Sequence, residues 1–243
     1  MFFDSNYLLF VLLPTMLISL LAQGYVRSTF GKWQRQRNSA GLTGRAIAQQ
    51  IIRRTEVGDV RFERATQRSA AAAGVRVERG AGAFGDHYDP RSHTVRLSAE
   101  TADRPSVAAM AVVAHELGHA WQHEVRSPLI QMRSALLPAV SLGPQLAFGL
   151  IFAGLLINLV GLIWLGIAFF GLVVLFSILT LPVEFDASRR GMILLRQAGL
   201  MQSASDEKGT RAVLRAAALT YVAAALTAVL QLLYYISMAQ RRR

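Results

Sequence analysis

The sequence contains no cysteine, so disulfides contribute nothing to the fold and redox chemistry carries no information about its compartment. Charged residues are scarce, at 17% of the chain, whereas 53% of the residues are hydrophobic. Acidic residues are the rarer kind, 15 against 26 basic ones, which leaves a formal net charge of +11. The composition excludes a disulfide-stabilised scaffold and indicates a largely apolar, basic chain.

Charge is absent altogether from three long stretches. No Asp, Glu, Lys or Arg occurs in residues 5–26, 134–183 or 216–240, which contain 22, 50 and 25 residues. A bilayer core of roughly 30 Å needs about 20 helical residues, so the outer stretches fit one span each and the middle stretch fits two. The sequence therefore predicts a mainly α, four-span membrane protein, with helix 1 in 1–26, a hairpin of helices 2 and 3 in 134–183, and helix 4 in 212–240.

The first stretch has an alternative interpretation as a secretory signal peptide. Its leader, Met-Phe-Phe-Asp, has no basic residue, and Ala22-Gln23-Gly24 is a weak cleavage site. A retained signal anchor is the expectation.

The basic residues are distributed asymmetrically around this anchor. Of the 26, 17 lie between Arg27 and Arg133 and none precede the first stretch. Positive residues favour the cytoplasmic side, so the expected location is a multi-pass protein of the cell membrane with residues 27–133 in the cytoplasm. The bilayer is thus an expected partner. Nucleic acid is not, because no aromatic interleaving or recognition motif accompanies the basic residues.

The segment His115-Glu116-Leu117-Gly118-His119 carries the chemistry. On a helix, residues i and i+4 lie on one face, so His115 and His119 can bind one ion. Neutral imidazoles suit Zn²⁺, and Glu116 is placed to take a proton from water activated by the metal. One zinc ion per chain is expected. The alternative is a surface helix with accidental spacing.

The sequence around the motif favours a buried helix. Asp103 or Thr101 is expected to cap it, with Pro105 in its first turn, and it should continue to about His123 and stop before Pro128. Apolar residues occur on nearly every side, so the polar side chains of the motif would be buried, at a cost in free energy unless a metal satisfies them.

A catalytic zinc site usually has a third protein ligand. His123 lies one more turn along the same helix face. In a straight helix its side chain would not reach the ion bound by His115 and His119, so a role at the helix end or beside the ligands is expected. Nothing in the settings of Glu100 and Glu124 favours them. Glu184 follows the predicted hairpin directly, and two crossings return it to the side of His119. The competing interpretation is an interfacial carboxylate at the start of a helix opened by Pro182.

Shorter elements are predicted from local patterns. The expectations are a linker at Thr29–Gly44, a helix from Gly44 to Thr55 capped by Thr43, strands at Val60–Glu63, Val75–Glu78 and Thr94–Ser98, and a turn at Asp86–Pro90. Together with the motif helix they are expected to form a small zincin-like α+β catalytic region in residues 27–133, joined by a cytoplasmic helix in 184–211.

At this point the chain resembles the neutral zinc metallopeptidases of bacterial membranes, often called YugP-type. The likeness covers nearly the whole length and lies in Asp86–Arg91 with Val95–Ser98, Ala114–Ala120 with Gln122, Leu181–Ser188, and Leu214–Tyr235. It implies that His115, His119 and Glu184 are zinc ligands and that Glu116 is the general base. A more distant likeness runs to HtpX-type and CAAX-prenyl membrane proteases, in which the ligand glutamate belongs to an E-x-x-x-D pattern. Here position 188 is Ser, so Asp186 or Ser188 would have to replace that aspartate.

The expected function is a membrane-bound zinc metalloendopeptidase of gluzincin-like type, acting on protein or peptide substrates. Candidate donors to the developing oxyanion are Tyr88, His93 and Arg189. Asp89 is a candidate for orienting a histidine ligand, and the strand Thr94–Ser98 could pair with an extended peptide, although an ordinary paired strand is an equal alternative. Two other functions stay open: a zinc-binding membrane scaffold without turnover, against which the intact Glu116 argues, and an intramembrane site-2-type protease.

Overall fold

In a computed structural model of the chain, residues 7–55, 57, 61–64 and 85–242 are described. A π-helical segment, Leu8–Leu12, leads into α1. The helices are α1 (Leu13–Arg35), α2 (Gly44–Arg54), α3 (Ala99–Asp103), α4 (Val107–Glu124), α5 (Pro128–Leu156), α6 (Val160–Gln197) and α7 (Ala204–Gln240); the strands are β1 (Arg61–Arg64), β2 (His87–Asp89) and β3 (Thr94–Leu97). The prediction of a mainly α protein is confirmed.

The chain divides into two compact units. The first, here called the apolar unit, comprises Met1–Gly24, Pro128–Val183 and Ala218–Arg243. The second, the α+β unit, comprises Tyr25–Ser127 and Glu184–Ala217.

Long apolar helices account for the apolar unit. Within the described residues, three helices are long and apolar enough to cross a membrane: Leu8–Arg35, Val160–Gln197 and Ala204–Gln240. Helix α5 is bent by 46° between Leu137 and Val140, and it is a fourth candidate span if its two parts cross the membrane together.

Helices α5 and α6 form a tight hairpin in this unit. A Cβ atom added to Gly154 would lie 2.7 Å from the Ile163 side chain, and one added to Gly166 would lie 2.8 Å from the Ala147 carbonyl oxygen. The two glycines therefore let the helices approach more closely than larger residues would allow.

One end of the apolar unit is tied together by polar and aromatic contacts. The Tyr7 hydroxyl donates to Gln231 Oε1 at 3.3 Å, near the end of α7, and Arg242 donates to Asn158 in the α5–α6 turn at 3.3 Å. The beginning of the first helix, the hairpin turn and the end of α7 thus lie at the same end of this unit.

The core of the α+β unit forms around α4. Most of its apolar residues are buried, as predicted, and they pack with α2, β3 and the end of α6. Helix α2 begins where the sequence predicts, because the Thr43 side chain accepts a hydrogen bond from the Ala46 amide at 3.3 Å.

The sheet has three strands in the order β1-β3-β2. Strand β3 pairs in parallel with β1 and antiparallel with β2, so it is central, and the prediction that it could pair with a peptide as an edge strand is wrong. The predicted strand Thr94–Ser98 is confirmed as Thr94–Leu97. The predicted strand Val60–Glu63 corresponds to β1, Arg61–Arg64, which begins one residue later. The predicted strand Val75–Glu78 lies outside the described residues. The expected turn at Asp86–Pro90 is mostly strand, and the turn follows it at residues 90–93.

The predicted start of α4 is wrong. Thr101 and Asp103 belong to the short helix α3, whereas Ser106 caps α4 by accepting from the Ala109 amide at 3.1 Å. The reason is Pro105: the residue before a proline is driven out of the helical region, and Arg104 is extended, with φ −97° and ψ 135°. A break between two helices is the result.

Two other boundaries differ from the predictions. Helix α1 continues to Arg35, so the first part of the expected linker at Thr29–Gly44 is helical. Pro182 lies inside α6 and does not open a helix. A proline removes one N–H donor, but this 38-residue helix continues through Pro182 because the backbone hydrogen bonds before and after it are kept. Glu184 is therefore an interior helical residue, which excludes the N-terminal carboxylate interpretation.

Candidate metal centre

Helices α4 and α6 meet almost backbone to backbone. A Cβ atom on Gly118 would overlap the carbonyl of Ala187, and one on Gly191 would lie 2.6 Å from the carbonyl oxygen of Ala114. Glycine is the residue that permits such an approach. The contact brings the H-E-x-x-H turns of α4 alongside the turn of α6 that begins at Glu184.

The three predicted ligands lie together at this crossing. His115 Nε2 is 3.1 Å and His119 Nε2 is 3.5 Å from Glu184 Oε2. Glu184 is only 2% exposed. Among the residues that the structure describes, these three form the group of potential metal ligands, with ligand atoms within 4.8 Å of one another.

The donor set and its spacing fit zinc. Two imidazole nitrogens and one carboxylate oxygen are the usual protein ligands of a catalytic zinc ion. Ligand atoms about 2.0–2.1 Å from one tetrahedral ion lie about 3.4 Å from each other, and the two distances to Glu184 fall on either side of that value.

The electrostatics of the site also favour a cation. Burial lowers the pKa of His119, but its hydrogen bond to Glu184 and the charges of Glu184 and Glu116 outweigh burial, and the pKa is raised above its ordinary value. The negative potential that stabilises a protonated imidazole stabilises a metal ion in the same place.

Each histidine has a hydrogen-bond partner on its other ring nitrogen. Ser188 Oγ lies 3.1 Å from His115 Nδ1, and Gln122 Oε1 lies 3.0 Å from His119 Nδ1. Gln122 in turn donates to Asp186 Oδ2 at 2.8 Å. Ser188 thus contacts one predicted ligand directly and Asp186 reaches the other through Gln122.

Gln122 had no assigned role in the sequence analysis. It lies three residues after His119, on the same face of α4, and it is fully buried. That spacing, together with a polar residue in an otherwise apolar helix, is the signal that could have identified it.

Glu116 lies against strand β2. Its side chain is 9% exposed, and its Oε2 accepts a hydrogen bond from the backbone amide of Tyr88 at 2.8 Å. Because that amide points to Glu116, it does not pair with β3. The outer edge of β2 therefore faces the Glu116 carboxylate, beside the three predicted metal ligands.

Asp86 is a buried carboxylate near the site that the sequence analysis left without a role. It accepts hydrogen bonds from the Ser98 amide at 2.5 Å and from the Thr101 hydroxyl at 2.7 Å. Burial raises the pKa of Asp86 to about 6, and the charge of Glu116 adds to the shift, although the hydrogen bonds from Thr101 and Ser98 oppose it. Asp86 fixes the start of β2 to the end of β3.

Tyr88 and two histidines form a separate cluster. The Tyr88 hydroxyl lies 2.6 Å from His93 Nδ1, and the rings of His93 and His123 have centroids 6.0 Å apart. His93 Nε2 is 3.8 Å from Glu124 Oε1. His123 is therefore placed at the end of α4 with His93, and it does not join the three-ligand group.

Two further candidates lie away from the histidine ligands. Asp89 accepts from Arg96 and Ser92, each at 2.8 Å, so the idea that it orients a ligand is wrong. Desolvation raises the pKa of Asp89, but the hydrogen bonds from Arg96 and Ser92 outweigh it and lower the value to about 2. Arg189 is exposed, and its charge helps to lower the pKa of Asp186.

Comparison with known proteins identifies the family. Residues 8–240 match the profile of a family described as "Putative neutral zinc metallopeptidase". The chain belongs to this neutral zinc metallopeptidase family. It is also 35% identical over 228 residues to the protein named "Putative membrane protease YugP" from Bacillus subtilis strain 168, with 94% of each chain covered. No solved structure matches the chain. Membership of a zinc peptidase family agrees with the donor set at the α4–α6 crossing.

Proposed function

We propose that this member of the neutral zinc metallopeptidase family is a membrane-bound metalloendopeptidase with one zinc ion per chain. The observation that carries the proposal is the convergence of His115, His119 and Glu184 on one point, with Glu116 on the same helix. A distal glutamate that completes the ligand set of an H-E-x-x-H helix is the gluzincin-like arrangement.

Zinc would be held by His115 Nε2, His119 Nε2 and Glu184, and it would act as a Lewis acid that lowers the pKa of water to about 7 and polarises a carbonyl group. Glu116 accepts a proton from the attacking water as its oxygen bonds to the scissile carbonyl carbon. The same proton then passes from Glu116 to the amide nitrogen as the C–N bond breaks. Burial of Glu116 beside the ligands supports this role.

The substrate peptide is proposed to lie along β2. The Tyr88 amide donates to Glu116, which places the outer edge of β2 beside the reacting groups, so a peptide would pair with this edge through its remaining backbone groups. An extended peptide that pairs with such an edge is bound through its main chain, with little demand on its sequence. The substrate class is therefore protein or peptide, whether soluble or membrane-associated.

Four spans and a cytoplasmic catalytic region are proposed for the topology. Support comes from the apolar unit, in which the first helix begins, α5 turns into α6, and α7 ends at one and the same end. Helix α5 must then run the full length of the unit in spite of its bend. The 17 basic residues between Arg27 and Arg133 favour the cytoplasm for that region.

Single cysteines test this topology, since the chain has none of its own. We expect Arg241→Cys to react with a membrane-impermeant maleimide in intact cells and Arg27→Cys to react only after permeabilisation. Both cysteines behave alike if the number of spans between them is even, and such a result would contradict the four-span topology. The reverse labelling pattern would place the catalytic region outside the cell.

Zinc removal tests the proposed activity. The purified protein in detergent is expected to contain one zinc per chain and to cleave denatured casein or detergent-solubilised membrane proteins. Treatment with 1,10-phenanthroline should lower cleavage at least about 100-fold, because the ion supplies several kcal/mol of transition-state stabilisation, and added zinc should restore it. The non-chelating 1,7-isomer is the control. Unchanged cleavage by the zinc-depleted protein would contradict the proposal.

A further inference from the structure

Gln122 connects a ligand histidine to a half-buried ion pair, Asp186–Arg190. Its side chain is fully buried, with Oε1 at 3.0 Å from His119 Nδ1 and Nε2 at 2.8 Å from Asp186 Oδ2. We propose that Gln122, oriented by Asp186, is a positioning residue that holds His119 with its proton on Nδ1 and its Nε2 free for the metal. This inference rests on the proposed zinc site.

The orientation of the Gln122 amide follows from the hydrogen-bonding capacity of the Asp186 carboxylate. The same oxygen, Asp186 Oδ2, accepts from Gln122 and from Arg190 Nε, the latter at 2.7 Å. The Arg190 guanidinium lies over the Trp121 ring, 4.9 Å from its centroid, which holds that end in place. A carboxylate only accepts hydrogen bonds, so the NH₂ group of Gln122 must face it.

The orientation of Gln122 then determines the tautomer of His119. With its NH₂ group on Asp186, Gln122 presents its carbonyl oxygen to His119 Nδ1, and a carbonyl oxygen only accepts. Nδ1 must therefore carry the hydrogen. A neutral imidazole has one N–H, so Nε2 keeps its lone pair, and Nε2 is the atom that faces Glu184 at 3.5 Å.

The other ligand histidine has no such constraint from its partner. Ser188 Oγ, 3.1 Å from His115 Nδ1, belongs to a hydroxyl that can donate or accept. The two ligand histidines thus differ. The tautomer of His119 is fixed by Gln122, Asp186 and Arg190, whereas the Ser188 hydroxyl is compatible with either tautomer of His115.

Asp186→Leu tests the chain of contacts, because it removes the acceptor of the Gln122 NH₂ group at a similar side-chain size. The Gln122 amide can then turn over and present its NH₂ group to His119 Nδ1. Zinc affinity is expected to fall 10–100-fold, the range for loss of a partner that orients a metal ligand. Gln122→Leu, which removes the acceptor, should cause a loss of similar size.

A double exchange provides the rescue. In Gln122→Glu combined with Asp186→Leu, the introduced carboxylate can only accept, so it holds the hydrogen on His119 Nδ1 without help from residue 186, and zinc affinity should return to within about threefold of the wild type. Gln34→Leu is the matched control. Gln34 is another buried glutamine, and it accepts from the Ser106 hydroxyl at the opposite end of α4.

The measurements are the zinc dissociation constant of the full chain in detergent, by competition with a chromophoric chelator, and the ¹⁵N chemical shifts of His119 in the zinc-loaded protein. The expected spectrum has zinc on Nε2 and hydrogen on Nδ1 in the wild type. Wild-type affinity in Asp186→Leu and Gln122→Leu, or failure of the double exchange to recover affinity, would overturn the positioning role alone. A wild-type protein that binds no zinc would instead overturn the zinc site on which the role depends.

Discussion

Glu116→Gln is expected to abolish peptide hydrolysis and to leave zinc bound. Glutamine has the size and shape of glutamate, and its side-chain oxygen can still accept the hydrogen bond from the Tyr88 amide, which is 2.8 Å long in the native protein. What the variant loses is the ability to take a proton from water and pass it to the leaving amine. General acid–base catalysis contributes about 10²–10⁴-fold, so we expect a loss of at least about 10³-fold because one group performs both transfers.

The measurements for this variant are zinc content and the rate of cleavage of a denatured or membrane-protein substrate, each compared with the wild type. Glu100→Gln is the control, because Glu100, on α3, forms an ion pair with Arg104 at 3.8 Å, away from the ligand group. If wild type and Glu116→Gln both bind zinc and neither cleaves, the protein is a zinc-binding membrane scaffold. If neither binds zinc, the assignment of the whole site is wrong.

Glu184→Ala is expected to lose zinc itself. Glu184 Oε2 is the point on which both histidines converge, and removal of the carboxylate leaves two neutral imidazoles without the negative charge that favours a cation. Loss of an outer hydrogen-bond partner costs 10–100-fold in affinity, and loss of a direct ligand should exceed about 100-fold. Cleavage should disappear with the metal.

Zinc content after dialysis and the zinc dissociation constant are the measurements for Glu184→Ala. Glu207→Gln is a matched control on α7, where the carboxylate pairs with Arg196 and Arg211 at the surface. Zinc binding by Glu184→Ala with native affinity would show that the third ligand is another residue. Loss of zinc in both variants would instead indicate damage to the fold.

The helix that carries the metal motif was predictable because its sequence contains many apolar residues and two regularly spaced histidines. Apolar residues on nearly every side of residues 107–124 indicate a buried helix, and the i, i+4 spacing of His115 and His119 indicates one face. The proximity of Glu184 to His119 was predicted from the number of membrane spans between them, since two spans return the chain to the side of the membrane from which it started. Neither argument needs knowledge of the tertiary structure.

The features that were missed depend on contacts between distant parts of the chain. The hydrogen bond from the Tyr88 amide to Glu116 joins residues 28 apart, and the one from Gln122 to Asp186 joins residues 64 apart. No local pattern predicts such pairs. The wrong start of α4 has a different origin: Thr101 and Asp103 are good capping residues, but the effect of Pro105 on Arg104 ends their helix early.

The backbone contact between α4 and α6 has a consequence for the register of the two helices. A shift of one residue along α6 would move it 1.5 Å and turn it by about 100°, which would direct Glu184 away from the histidines. Such a slide would bring a residue with a side chain to the place of Gly191, and a Cβ atom there would lie 2.6 Å from the Ala114 carbonyl oxygen. The two glycines at this contact therefore select which residue of α6 stands beside His115 and His119, although neither glycine has a side chain to offer a metal.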